Sequence, residues 1–119
     1  MSRTLYLTDD DNPRQGEIWT AVVCADTVRV GGREAVLVSF DPPIQRRSGA
    51  SLRRALLVPR SRSGSIDELR FGHLAKPTSV FVYEISGDSD EVRPDLPETQ
   101  VRVAIWGLVG ETPDSLQHR

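Results

Sequence analysis

A chain of 119 residues with 38% hydrophobic and 27% charged residues has room for one small core, so a single domain over 1–119 is expected. A net charge of −2 argues against indiscriminate binding to nucleic acid, and no apolar run approaches the ~20 residues that cross a membrane. The lone Cys24 excludes an internal disulfide, and Met1–Thr8 lacks the apolar stretch of a secretory signal, which makes the cytoplasm the expected location.

Thr4–Leu7 reads as a short strand leading into the acidic turn Asp9-Asp10-Asp11, with residues 1–12 otherwise expected to be loose. Gly16–Cys24 carries apolar residues on both faces, Ile18, Thr20 and Val22 against Trp19, Ala21 and Val23. That pattern predicts a central strand. Ala25-Asp26 starts a break, Thr27–Val30 is a second short strand, and Gly31-Gly32 is a turn. Glu34–Phe40 is the next strand. Asp41-Pro42-Pro43 is expected to stop it, because prolines cannot donate to a ladder. Ile44–Ser51 reads as a polar loop, Leu52–Val58 as a buried strand, and Pro59–Gly64 as a turn rich in arginine and serine.

Ser65–Phe71 allows one or two helical turns, with Ser65 as cap and Ile66 and Leu69 at helical spacing. After a loop over Gly72–Thr78, the strand Ser79–Ile85 sets Val80, Val82 and Glu84 on one face and Phe81, Tyr83 and Ile85 on the other. Gly87–Thr99 is an acidic surface loop. Gln100–Val109 is the last strand, kinked or bulged near Gly107, and the tail from Gly110 to 119 is expected to be loose. Five or six short strands and at most one short helix predict an all-β fold, a compact barrel or roll whose closure hides the strand edges.

The charge is unevenly distributed. Fourteen of the fifteen basic residues are arginine, and Arg46, Arg47, Arg53, Arg54, Arg60 and Arg62 fall in a stretch free of acids from Pro42 to Ile66. The acids gather in Asp9–Asp11 and Asp88–Glu98. Guanidinium forks match phosphate geometry, so this stretch is the candidate anion-binding rim. High-GC coding bias is an alternative source of the preference for arginine. No phosphate loop, metal-spaced histidine pair or nucleophile elbow is present, and His73 and His118 stand apart, so no metal or cofactor is expected. What remains is Arg33 after the glycine turn, Ser61 after the strand exit Val58-Pro59-Arg60, and Glu84 near a strand end. Metal-free RNA cleavage by 2′-hydroxyl attack needs a base, donors for the phosphorane charge and a proton source. An arginine, a hydroxyl and a carboxylate are residue types suited to those tasks. Each also has an ordinary reading, as turn-flanking, loop and strand-end residues.

Gly16-Glu17-Ile18-Trp19, then Arg33 before Ala35-Val36-Leu37-Val38-Ser39, then Leu57-Val58-Pro59-Arg60-Ser61, resembles the PemK/MazF family of toxin endoribonucleases over residues 14–64. The resemblance implies a small SH3-like barrel, a homodimer, metal-free cleavage of single-stranded RNA, and neutralisation by an antitoxin. It implies that Arg33 is the catalytic arginine, Ser61 the hydroxyl beside the scissile phosphate, and Glu84 a strand-end carboxylate. Beside it stands a non-catalytic SH3-like barrel that binds nucleic acid through Arg46–Arg62, or a protein partner through the acidic 88–98 loop.

Overall fold

Alternation of apolar side chains builds most of this molecule. The computed structural model describes residues 3–9, 17–45, 51–60, 66–70, 74, 76–85 and 94–117. Its strands are β1 (Arg3–Asp9), β2 (Trp19–Val30), β3 (Arg33–Gln45), β4 (Ser51–Pro59), β5 (Thr78–Ile85), β6 (Asp95–Leu96) and β7 (Val101–Gly110). Two one-turn helices, α1 (Ile66–Arg70) and α2 (Pro113–Gln117), complete the described elements with a 3-10 turn at Glu98–Gln100. The order β1-β7-β5-β4-β3-β2 is antiparallel throughout, and β2 pairs back onto β1, which closes a six-stranded barrel of the small SH3-like kind.

The inner core is made by Leu5, Leu7, Val38, Leu57, Val82 and Val109 with their neighbours, and Ile66 and Leu69 of α1 join it. Burying each such side chain contributes about 1.5–3 kcal/mol. Within the spans 1–12 and 110–119, the described residues 3–9 and 110–117 pack on the barrel. Leu5 and Leu7 of β1 are fully buried in the barrel wall, and α2 packs on β7 and β1 with Leu116 buried.

Two predicted breaks are bulges instead. The residues at Ala25-Asp26 lie within β2, where the register with β3 shifts between Val23 and Thr27. The prolines at 42 and 43 do not end β3; they sit where its ladder with β4 is interrupted, between Ser39 and Ile44. A missing N–H costs nothing where no ladder bond is made. The Gly31-Gly32 turn stands as expected, with φ of 56° and 82°. Two left-handed residues form the tight hairpin that glycine tolerates best.

A second apolar cluster lies on the outer face of the sheet, formed by Val28, Val30, Leu37, Leu56 and Val58 with Tyr83 and Ile85 against it. Part of the predicted acidic loop covers it. Leu96 is buried in the cluster, and the segment is fastened to the edge of β2 by Arg29 N–H to Pro94 O (2.8 Å) and Gly31 N–H to Leu96 O (2.9 Å). This parallel pairing makes β6 a strap across the outer face.

Candidate nucleic-acid interface

The outer face continues past the strap onto β4, β5 and β7. Along β4, Arg54, Leu56, Val58 and Arg60 alternate onto it; along β5, Phe81 and Tyr83 do so. Phe81 stands opposite Trp106, and Tyr83 opposite Val103. Residues three apart on a regular strand point to opposite faces. A register shift in β7, opposite Val82 and Tyr83, inserts Ala104 as an extra residue and turns both Val103 and Trp106 outward. They are the exposed large hydrophobics among the described residues, at 39% and 42% exposure. The bulge is at Ala104 rather than near Gly107, where the sequence placed it. Gly107 has another reason to be glycine, since a Cβ there would come within 2.5 Å of Leu7 Cδ1.

Phe81 meets Trp106 edge to face, with centroids 5.7 Å apart and planes at 83°. Tyr83 extends the row at 6.1 Å from Phe81. Over this pair lies the Arg60 guanidinium, 4.6 Å from the Trp106 centroid and 5.6 Å from that of Phe81. Such a contact is electrostatic attraction to the ring face. The Arg60 backbone is held at the barrel rim by its N–H to Ser79 O at 3.0 Å.

Arg33 lies at the same end of the sheet. Its Nη2 donates to Pro59 O at 2.9 Å, its one hydrogen bond among the described residues, which leaves the other donors of the fork uncommitted. The adjacent Glu34 does not quench it. Glu34 sits across from Arg29, 4.0 Å away, with both side chains more than half exposed.

Of the three residues expected to share a cleavage site, the structure places Arg33 and Glu84 apart. Continuing the β3–β4 register places Arg33 level with Arg60 and Ser79, whereas Glu84 is level with Ala55. Ser79 to Glu84 is five residues of β5, about 17 Å. Glu84 also alternates onto the face opposite Phe81 and Tyr83, where Arg102 Nη2 lies 3.4 Å from its Oε2. Ser61 lies outside the described residues.

Of the six arginines of the expected rim, the structure describes Arg53, Arg54 and Arg60. Arg46, Arg47 and Arg62 lie outside the described residues. Arg53 is exposed and Arg54 half-buried, six residues along β4 from Arg60 and so about 20 Å away. Among the described residues, Arg60 lies on the aromatic row and Arg33 at the same end of the sheet. The sequence showed Phe81 and Tyr83 on a common face; Trp106 joins them as the ladder partner of Phe81, and the bulge adds Val103.

Cys24 is half-buried with its Sγ 3.7 Å from Ser39 Oγ, beside the outer cluster. Among the described residues no group of three His, Cys, Asp or Glu side chains is placed to hold a metal ion, and no helix is long and apolar enough to cross a membrane. Comparisons with protein-family models, with curated proteins and with solved structures return no match.

Proposed function

We propose that this barrel binds single-stranded RNA on the outer face of β4, β5 and β7 and does not cut it. The observation that carries the reading is the Arg60 guanidinium lying over an exposed Trp106 braced by Phe81. Unpaired bases stack on aromatic rings and on guanidinium planes, while arginine also binds the backbone. A stacking platform with a cation at its rim supplies both contacts within one nucleotide's reach. Arg33, at the same end, adds a second fork for phosphate.

Cleavage by 2′-hydroxyl attack would need base, stabiliser and acid at one phosphate. The separation of Arg33 from Glu84, on different faces and at different levels, favours binding over the ribonuclease activity that the PemK/MazF resemblance implies. Glu84 in this reading is an ion-pair residue, so Glu84→Gln does not lower RNA affinity.

The test is a titration of fluorescein-labelled single-stranded RNA in EDTA, followed by anisotropy, with the RNA then run on a denaturing gel. Binding that weakens as salt rises, with the RNA intact, is the expected result. Absence of binding overturns the proposal. Cut RNA in EDTA, abolished by Arg33→Ala, would replace it with the ribonuclease.

A further inference from the structure

The apolar surface of the outer face is open only over a short window. Its outward rungs on the β5–β7 ladder are Ser79–Leu108, Phe81–Trp106, Tyr83–Val103 and Ile85–Val101. Leu108 at one end is buried, and so is Val101 at the other, where it joins the outer cluster with Leu96. The two rungs between them carry Trp106 and Val103, the exposed large hydrophobics among the described residues. Toward β4 the window is bounded as well, since Val58 beside Phe81 and Leu56 beside Tyr83 are buried. The window is therefore two rungs long, and the rings of Phe81 and Tyr83 that mark it have centroids 6.1 Å apart.

That spacing has a meaning for a nucleic-acid strand. Bases stacked on one another rise about 3.4 Å per nucleotide. Two bases set on neighbouring outward rungs lie about 7 Å apart along the strand direction, too far to stack on each other. They lie side by side on the sheet instead, as unpaired bases do when aromatic side chains take over their stacking. The Arg60 guanidinium fits this arrangement where it stands over Trp106, because bases stack on guanidinium planes as well as on rings. Val103, opposite Tyr83, completes the second rung as an apolar floor.

We propose that the outer face is a two-nucleotide site: one unpaired base lies on the Trp106 rung with its Arg60 cap, the next lies on the Tyr83–Val103 rung, and a third finds no apolar surface. This rests on the RNA-binding reading above and names the ligand of that site, a splayed dinucleotide step within a single strand. Duplex RNA does not fit, since its bases stay stacked at about half the rung spacing.

The experiment titrates the isotope-labelled protein with a uridine carrying one methyl-capped phosphate, and with uridylate chains of two, three and four residues. The Trp106 indole N–H and the Val103 methyl resonances, identified by their absence in Trp106→Phe and Val103→Ser, report the two rungs separately. Both rungs are expected to respond to the dinucleotide with one Kd, roughly 5- to 150-fold below that of the single nucleotide, which is the contribution of one further base. Each residue beyond two is expected to add less than about fivefold, having a phosphate to offer but no surface for its base. Val103→Ser, a change at an exposed position, is expected to weaken the dinucleotide roughly fivefold and to leave the single nucleotide's Kd at Trp106 unchanged.

If the Val103 methyls stay still while Trp106 responds to the dinucleotide, the site takes one base and the proposal is wrong. A gain that repeats at the third and fourth residues also overturns it, because stacking surface then extends beyond the two rungs. So does a Val103→Ser loss shared equally by the single nucleotide. Failure of a fluorescein-labelled octauridylate to bind the wild type in anisotropy removes the RNA-binding reading itself. That outcome is distinct from octamer binding with the wrong response at the two rungs, which removes only the two-nucleotide site.

Discussion

Trp106→Ala is the sharpest perturbation of the outer face, because stability and binding should respond to it by different amounts. The indole is 42% exposed and contributes to the fold mainly through its edge contact with Phe81 and its cation–π contact with Arg60. An aromatic pair adds about 0.5–1.5 kcal/mol and an exposed cation–π contact about 0.5–1 kcal/mol. Their removal costs about 1–2.5 kcal/mol, less than the 3–5 kcal/mol of a fully buried tryptophan and small against the ~5–15 kcal/mol of a typical domain. The variant stays folded, with an unchanged denaturant slope. RNA binding loses one base stack, about 1–3 kcal/mol, which is roughly 5- to 150-fold in Kd. Anisotropy with a labelled single-stranded oligonucleotide reads the binding loss, and urea unfolding reads the stability. Trp106→Phe, which keeps a ring, should recover most of the affinity. If Trp106→Ala binds RNA within about twofold of the wild type, well inside the expected 5-fold minimum, no base stacks there and the reasoning fails.

Gly107→Ala should destabilise the barrel by about 1–3 kcal/mol in thermal or urea unfolding, because the new methyl meets the fully buried Leu7 side chain and the Thr8 carbonyl. Leu96→Ala should release the strap: it removes a buried anchor of the outer cluster, costing about 2–5 kcal/mol locally, and hydrogen exchange should speed up together at the Arg29 and Gly31 amides. Glu111→Ala should cost about 1–3 kcal/mol, since one carboxylate oxygen accepts from both Arg3 Nη2 (3.0 Å) and the Leu74 N–H (2.7 Å); Glu111→Gln, which keeps an acceptor, should recover part of that loss.

Local alternation made much of this barrel legible in the sequence. Val80, Val82 and Glu84 against Phe81 and Tyr83 follow from a period of two, and Gly31-Gly32 from the left-handed backbone that its turn demands. The misreadings share one cause, which is register against a partner strand. Asp41-Pro42-Pro43 looks like a stop until β4 is seen to make no ladder bonds opposite it, and Ala25-Asp26 looks like a break until β3 is seen to absorb it as a bulge. The extra residue at Ala104 is fixed by β5, about twenty positions away in the sequence, and so leaves no local signal. The arginine stretch is spread by strand geometry. Arg54 and Arg60 are close in sequence, yet an extended chain carries them to opposite ends of the same face. Leu116 gave the tail one apolar residue among polar ones, too weak a pattern to predict that α2 would dock.

The RNA-binding proposal carries an expectation about salt. Six arginines acting at once on a single strand would give a salt slope near −4, at roughly −0.7 per phosphate contact; two give about −1.4. Arg33 and Arg60 are the pair that the described fold brings to the aromatic row. A chain with a net charge of −2 has little long-range attraction to add, so the proposal draws most of its affinity from contact between ring and base. That assigns the deciding role to Trp106, the exposed ladder partner of Phe81. Trp106 shares the face of Phe81 as its direct ladder partner, with Arg60 over both rings, and the extra residue at Ala104 brings Val103 onto the same face.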